Sequence, residues 1–196
     1  MLYTRKGDNG TTKLFSCPKD VRLSKGDAVF TALGTIDELN SSLGLARAVA
    51  RRTPCRLLME GKKVSYEVII ETLQDYLFII QAELGGSPMH VTKVHVDYLE
   101  NVLKDIDDVI PPIHSFSLPG GSELGGHLDL ARTIDRRAER MVVKLCESGE
   151  YCVSPESLQF LNRLSSALYG LARFANYYLG EMEKAPQYKK AVKKKV

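Results

Sequence analysis

From residue 28 onward, apolar side chains recur at steps of three and four, and only clusters of proline and glycine interrupt them. Such steps stack side chains on one face of a helix, whereas a strand would alternate every second residue. Leu33, Ile36, Leu39 or Asn40, Leu43, Ala46 and Val49 define a first helix beginning near residue 28. Pro54 and Gly61 break the period over 51–63, which reads as a connection. A second helix spans 65–84 on Val68, Ile69, Leu73, Leu77, Ile80 and Leu84, and Gly85, Gly86 and Pro88 end it. A third covers 91–109 on Val94, Leu99, Val102, Leu103 and Ile106, and Pro111 and Pro112 stop it. The fourth and fifth cover 124–146 and 155–182, the last with Ser154 as N-cap and Pro155 in its first turn. With no convincing strand and no internal repeat, the pattern predicts an all-α, up-and-down bundle of five helices.

Composition narrows the class. At 196 residues with 44% hydrophobic and 26% charged side chains, the chain suits one globular domain over 1–196 and excludes general disorder. The net charge of +3 comes from the tail: setting aside Lys189, Lys190, Lys193, Lys194 and Lys195 turns it into −2. A folded body without basic excess argues against nucleic acid as partner, and the segment 185–196 reads as a solvated, frayed end. Cys17, Cys55, Cys146 and Cys152 form no CxxC pair and are expected to be reduced. No apolar run reaches the ~20 residues of a membrane span, and the start lacks a signal-type apolar core, so a cytoplasmic protein is expected.

Three polar islands carry chemistry. The region 1–27 lacks any sustained period and holds TRKGDNGTT, whose glycines expose backbone N–H groups beside Thr4, Thr11, Thr12, Lys6, Lys13 and Lys25. It is not a Walker A loop, so it reads as a candidate phosphate loop only in company. The fourth helix places Arg132, Arg136 and Glu139 along one edge of the core stripe Leu124, Leu128, Ala131, Ala138, Val142 and Leu145. The fifth aligns Asn162, Ser166, Tyr169, Arg173 and Asn176 beside Leu161, Leu164, Leu168, Ala172 and Ala175. On the first helix, Asp37 and Asn40 lie near apolar positions, where a carboxylate needs a cation, and Arg132 is the candidate partner. The segment 113–126 is glycine-rich yet apolar at Phe116 and Leu118, so it is expected to pack against the body. The four histidines lack metal-site spacing, no serine sits in GxSxG and no cysteine has a nucleophile signature, so no protein-only metal site and no covalent hydrolysis are predicted.

Taken together, YTRKGDNGTT, RLSKGDAVFTALGTIDELNSSLG, LQDYLFIIQAEL, FSLPGG, ARTIDRRAERMVV and FLNRLSSALYGLAR resemble the PduO-type ATP:cob(I)alamin adenosyltransferases over nearly the whole chain. The resemblance implies a ferritin-like, cobalamin adenosyltransferase-like five-helix bundle assembled as a homotrimer, with ATP between neighbouring subunits. It assigns Thr4, Arg5, Lys6, Gly7, Asp8, Gly10, Thr12, Lys13 and Lys25 to ATP from the loop side. From the helix side it assigns Arg136, Arg137, Glu139, Arg140 and Asn162. Asp37 and Arg132 match a structural ion pair beside the corrin site, and Phe116 matches the apolar residue that displaces the lower axial ligand of cobalt. The implied reaction moves the 5′-deoxyadenosyl group of ATP to the cobalt of a reduced corrinoid, with Mg2+ held mainly by the phosphates. A flavin-type reductase and an adenosylcobalamin-dependent acceptor enzyme are the implied partners. Four positions depart from the usual pattern: Lys6 and Ser166 replace a threonine and an aspartate, Thr31 a glutamate, and Asp129 a histidine. The alternatives are a non-catalytic corrinoid carrier or ATP-responsive binding protein on the same bundle, and a helical interaction module working through the basic tail.

Overall fold

The computed structural model describes residues 3–182 and 184–187; the basic run 189–196 lies outside the described residues. Five helices dominate: α1 (Ala28–Ala50), α2 (Tyr66–Leu84), α3 (Lys93–Asp107), α4 (Glu123–Glu147) and α5 (Pro155–Tyr178). The α4 helix packs on both α1 and α5, while α2 covers α1 and α3 covers α5. Ile36, Leu39 and Leu43 of α1, Leu128 and Ala138 of α4, and Leu161, Leu164 and Leu168 of α5 are fully buried along these contacts. Burying each such aliphatic side chain contributes about 1.5–3 kcal/mol before entropy is counted.

Helix ends follow local chemistry. Ser65 and Ser154 accept N–H bonds from Val68 and Ser157 as the N-caps of α2 and α5. The Thr92 N–H donates to His95 Nδ1 at 3.0 Å, so α3 begins at Lys93 rather than at 91. The last helix stops at Tyr178, short of the 182 expected from its period. Gly180 adopts φ +75°, and the Glu181 and Gly180 N–H groups return to the carbonyls of Asn176 and Tyr177, a glycine-terminated helix end.

Two short antiparallel ladders correct the strand-free expectation. β1 (Thr11–Thr12) pairs with β2 (Leu23–Ser24), and β3 (Arg56–Met59) pairs with β4 (Lys62–Ser65). The segment taken as a plain connection is therefore a hairpin, closed by Glu60 and Gly61 at φ 48° and 76°. Positive φ at both central positions gives the turn whose twist suits adjacent strands. The buried stripes also shift at two places. Val68 is half exposed while Ile70 is buried, and Val94 is exposed while Val96 is buried, because helical steps of three and four allow either neighbouring phase.

Candidate active site

The chain between α3 and α4 leaves Phe116 82% exposed, although the backbone around it is tied down at several points. Asn176 of α5, itself buried, supplies most of the ties: its Oδ1 accepts from the Ser122 N–H at 2.9 Å and hydroxyl at 2.8 Å, and its Nδ2 donates to the Gly120 carbonyl at 2.7 Å. Asp129 of α4 accepts the Gly120 N–H at 3.0 Å, and Arg173 donates to the Pro111 carbonyl at 3.0 Å. Gly120 and Gly121 hold φ of 108° and 101°, and a Cβ on Gly125 would lie 2.3 Å from Asn176 Oδ1. Glycine is required there by close approach as much as by backbone angle. An exposed aromatic on a pinned loop is not a core plug; the loop presents it.

Phe116 forms one wall of a cleft of about 760 Å³. Arg132 and Arg136 of α4 form another wall, and Ser165, Ser166 and Tyr169 of α5 close it. Arg132 Nε donates to Asp129 Oδ1 at 3.3 Å, and its guanidinium carbon stands 5.8 Å from the Tyr169 ring centroid. Arg140 Nη1 is tied to the Arg136 carbonyl at 2.8 Å. Asn162 Nδ2 donates to Glu139 Oε1 at 2.9 Å, joining α5 to α4 beyond the cleft. Arg137 points elsewhere and pairs with Glu38 of α1, since one residue step turns a helical side chain by about 100°. Beside Arg136, but turned to the core, Asp135 is fully buried with neither carboxyl oxygen hydrogen-bonded among the described residues. Burial first, and Glu139 second, push its carboxyl well above the ordinary carboxylate range despite Arg136.

The loop-side candidates form a separate, exposed body. Arg22 organises it: Nε donates to Thr11 Oγ1 at 2.8 Å, and Nη2 donates to the carbonyls of Lys6 at 2.8 Å and Thr11 at 2.9 Å. Lys25 Nζ donates to the Gly7 carbonyl at 3.0 Å, and Gly10 takes φ 78° where the chain reverses. Thr4, Arg5, Lys6, Asp8 and Gly10 are exposed, Gly7 and Thr12 half-buried, and Arg5 stacks on Tyr3. Among the described residues of this region only Leu14 is buried, and the Ser16 N–H binds the Gly85 carbonyl at the end of α2. Lys13 lines a second cleft of about 950 Å³ with Phe15, Phe30, Leu33 and Asp37.

Within one chain Asp37 and Arg132 do not meet. Asp37 is exposed on the second cleft, whereas Arg132 lies on the Phe116 cleft and pairs with Asp129. One helical turn along α1, Asn40 is the buried polar group, and it exchanges hydrogen bonds with Gln74. The polar line of α5 also divides: Ser166 and Tyr169 face the Phe116 cleft, while Arg173 and Asn176 are buried as ties for the loop. Sequence reasoning missed Arg22 altogether and met Asp129 only as a departure. The single available signal for Asp129 was its i,i+3 spacing from Arg132. No residue of 3–27 lines the Phe116 cleft, so the two sets of candidates do not close on each other within one chain. Among the described residues no group of three or more His, Cys, Asp or Glu side chains is arranged to hold a metal, and no helix is long and apolar enough to cross a membrane.

Comparison with known proteins bears on these clefts. A family model described as cobalamin adenosyltransferase matches residues 2–175. The corrinoid adenosyltransferase PduO of Citrobacter freundii is 37% identical over 179 residues, covering 88% of this chain; the chain spans about half that relative's length, 49%. The corrinoid adenosyltransferase of Mycobacterium leprae is 35% identical over 187 residues, with 89% of this chain and 91% of that protein covered. Among solved structures, a variant of the PduO-type ATP:corrinoid adenosyltransferase from Lactobacillus reuteri, complexed with cobalamin and ATP, superposes with a TM-score of 0.81 at 28% identity, covering 98% of this chain and 100% of that one.

Proposed function

The chain belongs to the cobalamin adenosyltransferase family, and from that premise we propose that it transfers the 5′-deoxyadenosyl group of ATP to the cobalt of a reduced corrinoid. The observation that carries this reading is the cleft that sets an exposed Phe116 against Arg132 and Arg136. The reduced cobalt of the corrinoid substrate donates an electron pair to ribose C5′, the C5′–O bond breaks, and triphosphate leaves with the bonding pair. No proton changes hands, so the chain needs no general base. Its tasks are to orient C5′ toward cobalt, to neutralise the leaving triphosphate and to keep water out.

Cations divide the second task. Arg136 and Arg140 meet the phosphates from the helix side, with Glu139 and Asn162 around them, while Arg137, paired with Glu38, adds its charge from the neighbouring face of α4. Lys6, Lys13 and Lys25 do so from the loop side, where Thr4, Arg5, Gly7, Asp8, Gly10 and Thr12 complete the nucleotide cradle. Guanidinium forks and backbone amides suit a polyphosphate. Magnesium, in this reading, is held mainly by the phosphates. Phe116 occupies the lower face of cobalt, excluding an axial ligand and leaving the metal four-coordinate and easier to reduce.

The separation of the two candidate sets supports a site completed between copies, as in a homotrimer. Asp37 and Arg132 then pair across the interface rather than within the chain. The reading places the protein in the cytoplasm, with a flavin-type reductase upstream and an adenosylcobalamin-dependent enzyme downstream. Anaerobic incubation with Mg·ATP and cob(I)alamin is the test: triphosphate together with a light-sensitive Co–C product is expected. Binding of both substrates without triphosphate release would make the protein a carrier instead. Phe116→Ala should keep turnover of chemically prepared cob(I)alamin and lose on the order of a hundredfold starting from cob(II)alamin under reducing conditions; equal rates from cob(II)alamin would remove the role of Phe116.

A further inference from the structure

Asp129 is 8% exposed and has two partners, one for each carboxylate oxygen. Oδ2 accepts the Gly120 N–H at 3.0 Å and Oδ1 accepts Arg132 Nε at 3.3 Å. A carboxylate removed from water is costly unless donors replace its hydration, and here the two donors come from different structures. One belongs to the loop that presents Phe116, and the other belongs to the cation across the cleft. Because Arg132 spends Nε on Asp129, both of its Nη groups stay available, and neither has a hydrogen bond among the described residues.

The contact closes into a ring. The Arg132 guanidinium stands 5.8 Å from the Tyr169 ring centroid, and the Tyr169 hydroxyl is 3.4 Å from Ser117 Oγ, on the residue after Phe116. The loop is thereby joined to Arg132 twice, through Gly120 and Asp129 on one side and through Ser117 and Tyr169 on the other. Asn176 fixes the carbonyl of the same Gly120 to α5, so Asp129 pulls against a braced peptide rather than a free one. We infer that Asp129 is a positioning residue that sets the Arg132 guanidinium and the Phe116 loop in register with each other. The inference rests on the adenosyltransferase reading for its consequence in turnover, but not for its geometry. It follows that Asp129 acts through Arg132, so the two substitutions must be strongly non-additive.

Asp129→Asn separates the two contacts. The amide oxygen still accepts the Gly120 N–H, whereas the amide nitrogen then opposes Arg132 Nε, donor against donor. Asp129→Ala removes both. With Mg·ATP and cob(I)alamin, Asp129→Asn is expected to lower kcat about tenfold with KM for ATP within about twofold. In an Arg132→Ala background the same change should alter kcat less than about twofold. Equal effects in both backgrounds overturn the inference. Two readouts do not need turnover: the Arg132 Nε–H resonance should move in Asp129→Asn, and limited proteolysis within 113–122 should accelerate in Asp129→Ala but not in Asp129→Asn. A static resonance, or a loop cleaved alike in all three proteins, sinks the proposal. A wild-type protein that makes no Co–C product would instead sink the functional reading, and the resonance and the proteolysis would still decide the role of Asp129.

Discussion

The Phe116 cleft and the N-terminal loop carry the same kinds of polar side chain but are held by different means. Around the cleft, the ties are buried: Asn176, Asp129 and Arg173 are each under a tenth exposed and grip the loop backbone from two helices. In the N-terminal region the ties, Arg22 and Lys25, are exposed and reach only their own segment. A hydrogen bond shielded from water resists competition better than one at the surface, and breaking it leaves a buried group unsatisfied. The cleft is thus held by the protein's own buried bonds, whereas the loop is held by bonds that water contests.

The sharpest break of that contrast is Arg136→Ala. If the cleft is the prearranged half, losing one charged donor there should cut kcat/KM for ATP by about 10- to 100-fold with the urea midpoint unchanged; a stability loss of matching size would mean that Arg136 serves the fold. Next comes Asn176→Ala, which strips three bonds from the loop and should cost about 2–3 kcal/mol in urea unfolding, with faster cleavage inside 113–122. A neutral result would show the loop to be held elsewhere. Arg22→Ala sharpens the other side: stability should change by less than about 1 kcal/mol while KM for ATP rises several-fold, because exposed ties order the loop without supporting the core.

A pH-dependent effect belongs to the core beside Arg136. Asp135 has its carboxyl raised by burial, so the folded chain keeps a proton that the unfolded chain releases once the pH passes the ordinary aspartate value. Stability from this site is complete below about pH 4 and declines as pH climbs toward the folded value, by at most about 1.4 kcal/mol per pH unit. Asp135→Asn should flatten the fall in urea midpoint as pH rises above the ordinary aspartate value. An unchanged slope would mean that the carboxyl is not the group losing its proton.

Much of this architecture was legible in one dimension. The stripe of α4, from Leu124 to Leu145, and the Ser154–Pro155 start of α5 were readable because helical periodicity and capping depend on neighbours within a turn or two. The Glu60–Gly61 hairpin was not, since four-residue strands lack a period long enough to outweigh Pro54. Arg132 and Arg136 were found by their edge position, but Asp129 was overlooked as a partner because its second contact, Gly120, lies in a loop with no period at all.

Sequence alone determined the helical character, the boundaries of most helices, the family and the roster of cations and glycines. All of these are local or compositional properties. Only the tertiary structure decided that Asp37 and Arg132 face separate clefts, that Arg137 turns to Glu38, and that Asn176 and Asp129 hold the loop presenting Phe116. Those pairings depend on how helices far apart in the chain rotate to bury their apolar stripes, and that rotation is set by packing among all five together.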